Sequence, residues 1–103
     1  MRIAREEVFG PVGCVFPFSH LDEAIALAND TPFGLSASIW TTTTGHAERF
    51  VRECRVGACW VNCYGIFDVA APWGIVKLSG VGRELGRNGL DAFLETKTIF
   101  RGS

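Results

Sequence analysis

The clearest secondary-structure pattern of the chain lies in LSASIWTTTTGHAERFVRECRVGACWVN, residues 35–62. Its first six residues, Leu35 to Trp40, alternate apolar and small polar side chains, as a β-strand does. A helix is predicted next, because apolar residues at helical spacing share one face: Ala47, Phe50, Val51 and Cys54. Gly57 ends this helix, and Ala58 to Asn62 predicts a second strand. Consecutive strands joined through a helix run parallel, so the stretch predicts a β-α-β unit.

The segments on both sides of this unit extend the pattern. Val12 to Phe18 is short, apolar and rich in β-formers, which predicts an earlier strand. Ser19 is the predicted N-cap of a first helix, whose apolar face holds Leu21, Ala24, Ile25 and Ala28. Asn88 caps a predicted short helix after the unit, and Thr96 to Phe100 predicts a last strand. The order predicts an α/β fold with a mainly parallel sheet and flanking helices.

Composition places the chain among ordinary globular proteins. Its length of 103 residues suits one domain or a piece of one, with 48% hydrophobic and 20% charged residues. A net charge of −1 provides no basic surface for nucleic acid, and no apolar run is long enough to cross a membrane. Since the N-terminus lacks a signal-peptide pattern, we expect a cytoplasmic protein.

Four cysteines are present, at Cys14, Cys54, Cys59 and Cys63. They form no CxxC pair and have no histidine close in sequence, so they give little support to a zinc site. A reducing compartment disfavours disulfides. We therefore expect reduced, mostly buried thiols and no bound metal.

An irregular segment of about twenty residues follows Asn62. It carries large apolar residues that are unusual in a solvated loop: Tyr64, Ile66, Phe67, Pro72 and Trp73. Ligands of parallel α/β sheets bind where loops leave the carboxyl ends of the strands, so this loop is the best site candidate. Composition alone leaves two interpretations open: the aromatics pack on the domain, or they receive an apolar ligand or a partner chain.

Five motifs, taken in order, resemble the C-terminal part of the aldehyde dehydrogenase superfamily. They are EEVFGPV (6–12), NDTPFGLSASIWT (29–41), WVNCY (60–64), PWGIVKLSGVGRELG (72–86) and ETKTI (95–99). The resemblance covers nearly the whole chain. It implies that residues 1–103 are a partial catalytic domain with a C-terminal strand, and that the N-terminal cofactor-binding domain is absent.

The resemblance implies roles for five residues. In this family the acid that matches Glu7 hydrogen-bonds the ribose of the cofactor, NAD or NADP, and the aromatic that matches Phe9 packs beside it. Gly65, Phe67 and Trp73 match positions around the side chain of the small-molecule aldehyde. Aromatic walls favour an apolar or aromatic aldehyde, because burying a medium-sized side chain contributes about 1.5–3 kcal/mol.

Other residues of these motifs have structural interpretations. Glu6 is predicted to be solvated or to form a local salt bridge. Lys77 and the pair Arg83–Glu84 are predicted to form charge pairs. Many family members have a glycine and an aromatic where this chain has Ile75–Val76, which implies less backbone freedom in the loop.

The resemblance also implies what the chain lacks. The family uses a nucleophilic cysteine and a general-base glutamate, and both motifs lie upstream of the matched segment. No histidine lies near Cys63 in sequence to activate it, so we assign no catalytic residue. We expect a C-terminal fragment that is inactive alone and forms a homo-oligomer or contacts the remainder of an aldehyde dehydrogenase. The alternative is a non-catalytic interaction protein that docks onto dehydrogenase subunits, with TKTIF (96–100) extending a partner's sheet.

Overall fold

The computed structural model describes all residues, 1–103, as an α/β chain with short strands. The helices are α1 (Leu21–Asn29), α2 (Thr44–Glu53) and α3 (Gly86–Asp91), and a 3-10 turn spans Arg2–Ala4. The strands are β1 (Phe33–Gly34), β2 (Ser36–Ile39), β3 (Ala58–Val61), β4 (Trp73–Gly74), β5 (Val76–Lys77) and β6 (Arg83–Glu84). No helix combines the length and the hydrophobicity that crossing a membrane requires.

Strands β2 and β3 confirm the predicted β-α-β unit. They run parallel, with Ser36 opposite Ala58 and Ile39 opposite Val61, and α2 lies between them in the chain. Cys54 ends α2 by taking an extended conformation, with φ −77° and ψ 122°. Because the strands are parallel, their carboxyl ends lie at the same edge of the pair.

The starts of two helices differ from the prediction. His20, not Ser19, is the N-cap of α1, and its Nδ1 accepts a hydrogen bond from Glu23 N (3.3 Å). The Glu23 carboxylate in turn accepts from Ser19 N (2.9 Å), so two amides at the helix start find acceptors. Helix α3 begins at Gly86, two residues before the predicted cap Asn88.

A small core lies where α1 and α2 pack on the β2–β3 pair. Ile25, Phe50 and Cys54 are buried there. Ala37 and Cys59 pack against them from the two strands. Ile25 and Phe50 belong to the predicted apolar faces of their helices, so the helical periodicity correctly indicated the buried face of each.

The prediction of a mainly parallel sheet is wrong outside this unit. Strands β1 and β5 pair antiparallel over two residues, as do β4 and β6, and the three pairs do not join into one sheet. Positive φ angles at Lys77 (56°), Gly80 (132°) and Gly82 (92°) reverse the chain soon after β5 begins. A chain that turns this often cannot extend a parallel ladder.

The two outermost predicted strands, Val12–Phe18 and Thr96–Phe100, are absent. Residues 13–18 and 95–103 make no backbone hydrogen bond to any part of the chain. A strand forms only beside a partner that completes its ladder, and this chain places none there. Apolar side chains of both segments are exposed instead, including Val15 and Phe100.

The molecule is extended for its length. Its radius of gyration is 18.2 Å and its accessible surface is 8420 Å². A compact protein of this size would have a radius of about 13 Å and a surface of about 5,700 Å². The excess of roughly 2,700 Å² is larger than the surface buried in a standard protein–protein interface.

Candidate functional site

Four aromatic side chains meet near the carboxyl end of β3: Trp60, Tyr64, Phe67 and Trp73, called the aromatic cluster below. Trp60 lies at its centre, with ring centroids 5.1 Å from Tyr64, 6.0 Å from Phe67 and 5.7 Å from Trp73. Phe67 and Trp73 meet edge to face at 4.7 Å. Each such pair contributes about 0.5–1.5 kcal/mol beyond its buried area, so the rings hold one another in place.

Strand β3, the loop that follows it and β4 position these rings. Cys59 packs into the core, so alternation along β3 turns its neighbour Trp60 to the opposite face. The Trp60 indole N–H donates to the Ile66 carbonyl (2.9 Å), which holds the loop against the strand. Trp73 is fixed separately, because it belongs to β4 and pairs with β6.

A cavity of about 300 Å³ lies beside the aromatic cluster. Its walls include Trp60, Ile66, Phe67, Pro72 and Trp73. This volume is at the lower end of those that hold small ligands in proteins. Two larger grooves, of about 630 and 940 Å³, lie elsewhere, one lined by residues 16–18, α1, β2 and α2 and the other lying beside α3. Only the cavity beside the aromatic cluster is lined both by residues of β3 and by the loop that follows it.

The structure brings two of the three predicted substrate residues into contact. Phe67 and Trp73 touch each other, and Gly65 lies on the same loop with φ 71° and open space where a side chain would stand. Their contact with an aldehyde stays a prediction. Tyr64 belongs to the apolar residues of the predicted site loop, whereas Trp60 was not expected in the site. The alternation along β3 was a usable signal for Trp60, since it turns this ring away from the core at the end of the strand.

Ile75 and Val76, which depart from the family pattern, fit without backbone strain. Neither residue has a positive φ. Ile75 Cδ1 lies over Gly80 and Val76 Cγ2 over Gly34, in the space that a side chain at either glycine would fill. This chain therefore accommodates its two branched side chains with two glycines.

Lys77 and Arg83 have structural contacts, but the prediction that they form charge pairs is wrong. Lys77 Nζ donates to the Asn29 carbonyl (3.3 Å), and Arg83 Nη1 donates to the Ile75 carbonyl (2.9 Å). The ion pairs of the chain include neither of these cations, nor Glu84. Both cations donate to backbone carbonyls: Lys77 to the last residue of α1, and Arg83 to a residue between β4 and β5.

The two acids of EEVFGPV have different surroundings. Glu6 forms the predicted local salt bridge, accepting from Arg2 Nε (3.0 Å) and Nη2 (2.9 Å). Glu7 is exposed and its carboxylate has no hydrogen bond within the chain. Phe9 has φ 50°, which is uncommon for a residue other than glycine, and its ring is 93% exposed. Glu7 and Phe9 lie outside the aromatic cluster, with side chains free to contact a ligand.

Two of the four thiols are poor nucleophiles in this structure. Burial raises the pKa of Cys54 and of Cys59, because it disfavours the thiolate. Cys54 is buried and Cys59 and Cys63 are half-buried, but Cys14 is exposed, so the expectation of mostly buried thiols is wrong for Cys14. No group of three or more His, Cys, Asp or Glu side chains lies close enough together to hold a metal ion.

Comparison with known proteins gives the family of the chain. Residues 1–99 match the model of the family described as aldehyde dehydrogenase family. The aldehyde dehydrogenase of Enchytraeus buchholzi is 47% identical over 100 residues, which are 97% of this chain and 20% of that protein. The betaine aldehyde dehydrogenase of Cereibacter sphaeroides is 48% identical over 102 residues, 99% of this chain and 21% of that protein.

Solved structures agree with these relatives. The betaine aldehyde dehydrogenase from Staphylococcus aureus in complex with NAD+ superposes with a TM-score of 0.89 at 44% identity, covering 94% of this chain and 19% of that one. The chain belongs to the aldehyde dehydrogenase family. It spans about a fifth of the length of the curated relatives it matches. The matches are with dehydrogenases, and nothing in them supports the alternative of a non-catalytic interaction protein.

Proposed function

We propose that this chain is the C-terminal part of the catalytic domain of an NAD(P)-dependent aldehyde dehydrogenase, where it forms one wall of the aldehyde site. The observation that carries the proposal is the cavity between β3, the loop that follows it and β4, lined by the rings of Trp60, Phe67 and Trp73 in a member of this family. The reaction is the oxidation of an aldehyde to a carboxylic acid. Its nucleophile and general base are supplied by protein outside these 103 residues.

The residues of EEVFGPV are suited to hold the nicotinamide end of the cofactor. A carboxylate can accept hydrogen bonds from two neighbouring hydroxyls, and Glu7 has no partner in the chain that would compete with a ribose. The exposed ring of Phe9 supplies an apolar surface beside it. When bound, the cofactor supplies the acceptor for the hydride that leaves the substrate. NAD and NADP share this ribose, so the same contacts serve either.

The substrate site favours an apolar or aromatic aldehyde. Phe67 and Trp73 line the cavity and offer ring surface to such a side chain, and Gly65 lies on the same loop with open space beside it. A cationic aldehyde is a second candidate, because aromatic faces attract quaternary ammonium groups and several relatives are betaine aldehyde dehydrogenases. Asp68, which also lines the cavity, would favour the same cation.

The exposed apolar surface supports a contact with further protein. The accessible surface exceeds that of a compact protein by more than a standard interface buries, and the flanking segments contribute large apolar side chains. The remainder of the dehydrogenase, or a second subunit in a homo-oligomer, would cover them. We place this assembly in the cytoplasm, where four free thiols remain reduced.

A chimera tests the proposal directly. Residues 1–99 replace the matching fifth of the Staphylococcus aureus betaine aldehyde dehydrogenase, and NADH formation is followed with aliphatic, aromatic and cationic aldehydes. We expect turnover by the chimera and none by the 103-residue chain alone. A folded chimera without activity, or turnover by the isolated chain, would contradict the proposal.

Two substitutions in the chimera test the assigned residues. Glu7→Gln should raise the KM for NAD about ten- to a hundredfold, since a hydrogen bond to a charged group contributes about 1.5–3 kcal/mol. Glu6→Gln is the matched control and should leave this KM unchanged, because Glu6 is paired with Arg2 at the surface. Trp73→Ala should raise the KM for the aldehyde. Trp73→Phe keeps a ring, so its KM should stay close to that of the unsubstituted chimera. Equal effects at Glu6 and Glu7 would rule out the ribose contact.

A further inference from the structure

We propose that Asn62 is a positioning residue that sets the direction in which the loop of the aromatic cluster leaves β3. Asn62 touches no ring of the cluster in the contacts described above. It acts through the backbone of two neighbouring segments. The structural role of Asn62 does not depend on the function proposed above. Its functional consequence rests on that proposal, because one amide side chain then determines the shape of the aldehyde site.

Asn62 ties together the carboxyl ends of both parallel strands. Its backbone N–H donates to the Ile39 carbonyl (2.8 Å), which adds one rung after β3 ends. Its side-chain Oδ1 accepts from Thr41 N (2.8 Å), and its Nδ2 donates to the Thr41 carbonyl (3.0 Å). The amide therefore pairs with Thr41 as a strand residue would, with one donor and one acceptor.

The backbone of Asn62 turns the chain at this point. Its φ is 54°, in the left-handed region that asparagine tolerates better than most other residues with a side chain. The chain then passes through Tyr64 and Gly65 to Ile66, whose carbonyl accepts from Trp60. Trp60 lies before the turn, and Tyr64 and Phe67 lie after it. The rings can meet only if the turn at Asn62 points the loop back over the strand.

Replacing the Asn62 amide by a carboxyl group tests whether the hydrogen bonds of the side chain, and not its size, position the loop. An ionised aspartate at this position keeps the acceptor for Thr41 N but has no donor, and it places a negative charge beside the Thr41 carbonyl. A protonated aspartate regains one donor and has the same shape as asparagine. The pairing of this side chain with Thr41 should therefore be lost in Asn62→Asp at neutral pH and restored in acid.

The experiment measures near-UV circular dichroism, which reports the packing of the aromatic cluster, and far-UV circular dichroism, which reports the backbone, on the full chain. For Asn62→Asp we expect loss of most of the near-UV signal at pH 7 and its return as the pH falls through about 4, near the pKa of an aspartate. Far-UV spectra should remain those of the unsubstituted chain at each pH.

Asn29→Asp is the matched control. Asn29 also bridges two backbone groups, accepting from Arg55 N (2.7 Å) and donating to the Glu53 carbonyl (2.8 Å), but it lies far along the chain from the aromatic cluster. We expect Asn29→Asp to leave the near-UV signal unchanged at pH 7. An equal loss in both variants would overturn the proposal, because the effect would then belong to any side chain that bridges two backbone groups.

Asn62→Gly separates the amide from the backbone turn. Glycine adopts φ 54° freely but cannot pair with Thr41, so we expect the near-UV signal to fall while the far-UV spectrum is kept. An unchanged near-UV signal in Asn62→Gly or Asn62→Asp overturns the positioning role. Loss of the far-UV spectrum in both variants also overturns it, since Asn62 would then stabilise the whole fold. None of these readouts requires aldehyde or NAD, so they remain valid if the proposed function fails.

Discussion

Side chains of the same type differ in exposure between two regions of the molecule. These are the centre of the chain, residues 19–62, and its flanks, residues 1–18 and 93–103. Phe50 in the centre is 6% exposed, whereas Phe100 in the C-terminal flank is 93% exposed. In the centre, β2 and β3 supply each other with backbone partners, and the helices then cover them. The flanks find no strand partner in the chain. In this chain, apolar side chains are buried where the strands pair through their backbones. Hydrophobicity alone does not bury a side chain.

This difference separates two kinds of apolar residue in one short sequence. Those of the centre stabilise the chain itself. Those of the flanks, such as Val15 and Phe100, contribute nothing until another surface covers them. Substitutions of matched residues in the two regions should therefore differ widely in their effect on the isolated chain.

The largest expected difference is between two phenylalanines. Phe50→Ala should reduce the free energy of unfolding by about 3–5 kcal/mol, because it removes a buried ring from a core of very few residues. Phe100→Ala should change it by less than about 0.5 kcal/mol. Urea unfolding followed by far-UV circular dichroism measures both. A comparable loss in Phe100→Ala would mean that the flank is packed in solution.

A smaller difference is expected between two glycines. A Cβ at Gly57 would overlap the Gly74 carbonyl, so Gly57→Ala should force β3 and β4 apart and cost about 1–3 kcal/mol. Gly45 lies in α2 with open space around it, and Gly45→Ala should stabilise the chain by about 0.5 kcal/mol through helix propensity. Thermal unfolding of the two variants should show shifts of opposite sign. Shifts of the same sign would refute the close approach of β3 and β4.

The smallest expected difference is in acid sensitivity. Arg49 lies between Asp22 of α1 and Glu53 of α2, and its hydrogen bonds lower the pKa of both carboxyl groups. A lowered pKa in the folded chain means that the stabilisation is present above the pKa of the unfolded chain, about 4, and is lost as the pH falls. The melting temperature should therefore drop between pH 6 and pH 3, and less so in Arg49→Gln.

Arg2 provides the matched control for that experiment. It pairs with Glu6 in the N-terminal flank, where the pair joins residues four apart and connects no separate elements. Arg2→Gln should leave the acid-induced drop in melting temperature unchanged, since exposed pairs of this kind contribute little. The opposite result would be that Arg2→Gln reduces the acid-induced drop in melting temperature as much as Arg49→Gln does. The ion pair between α1 and α2 would then not be the cause of that drop.

The β-α-β unit could be predicted because its two periodicities are local properties of the sequence. The strands Val12–Phe18 and Thr96–Phe100 could not be judged in the same way. A segment can have every property of a strand while its partner lies elsewhere, and the segment alone does not reveal this. The cap of α1 was misplaced by one residue because Ser19 and His20 can both accept from a helix start, and only the extended backbone of His20 decides between them.

The candidate site was predictable in part for a similar reason. The loop after Asn62 stood out by its apolar composition, and two of its predicted residues, Phe67 and Trp73, are in contact. Trp60 was missed because it was considered only as part of a strand. The acceptors of Lys77 were missed because they are backbone carbonyls, which have no signature in a sequence. Motifs identify side chains, but not the main-chain groups that they reach.

The parallel pairing of β2 with β3 has a consequence for the order of folding. Ser36 and Ala58 are joined through α2, and a helix that forms locally brings the two strands together at a modest loss of chain entropy. We expect this unit to be the folding nucleus, and hydrogen exchange during refolding should protect the amides of β3 before any in the flanks. Until the flanks find their covering surface, they are the part of the chain most exposed to aggregation and to chaperones.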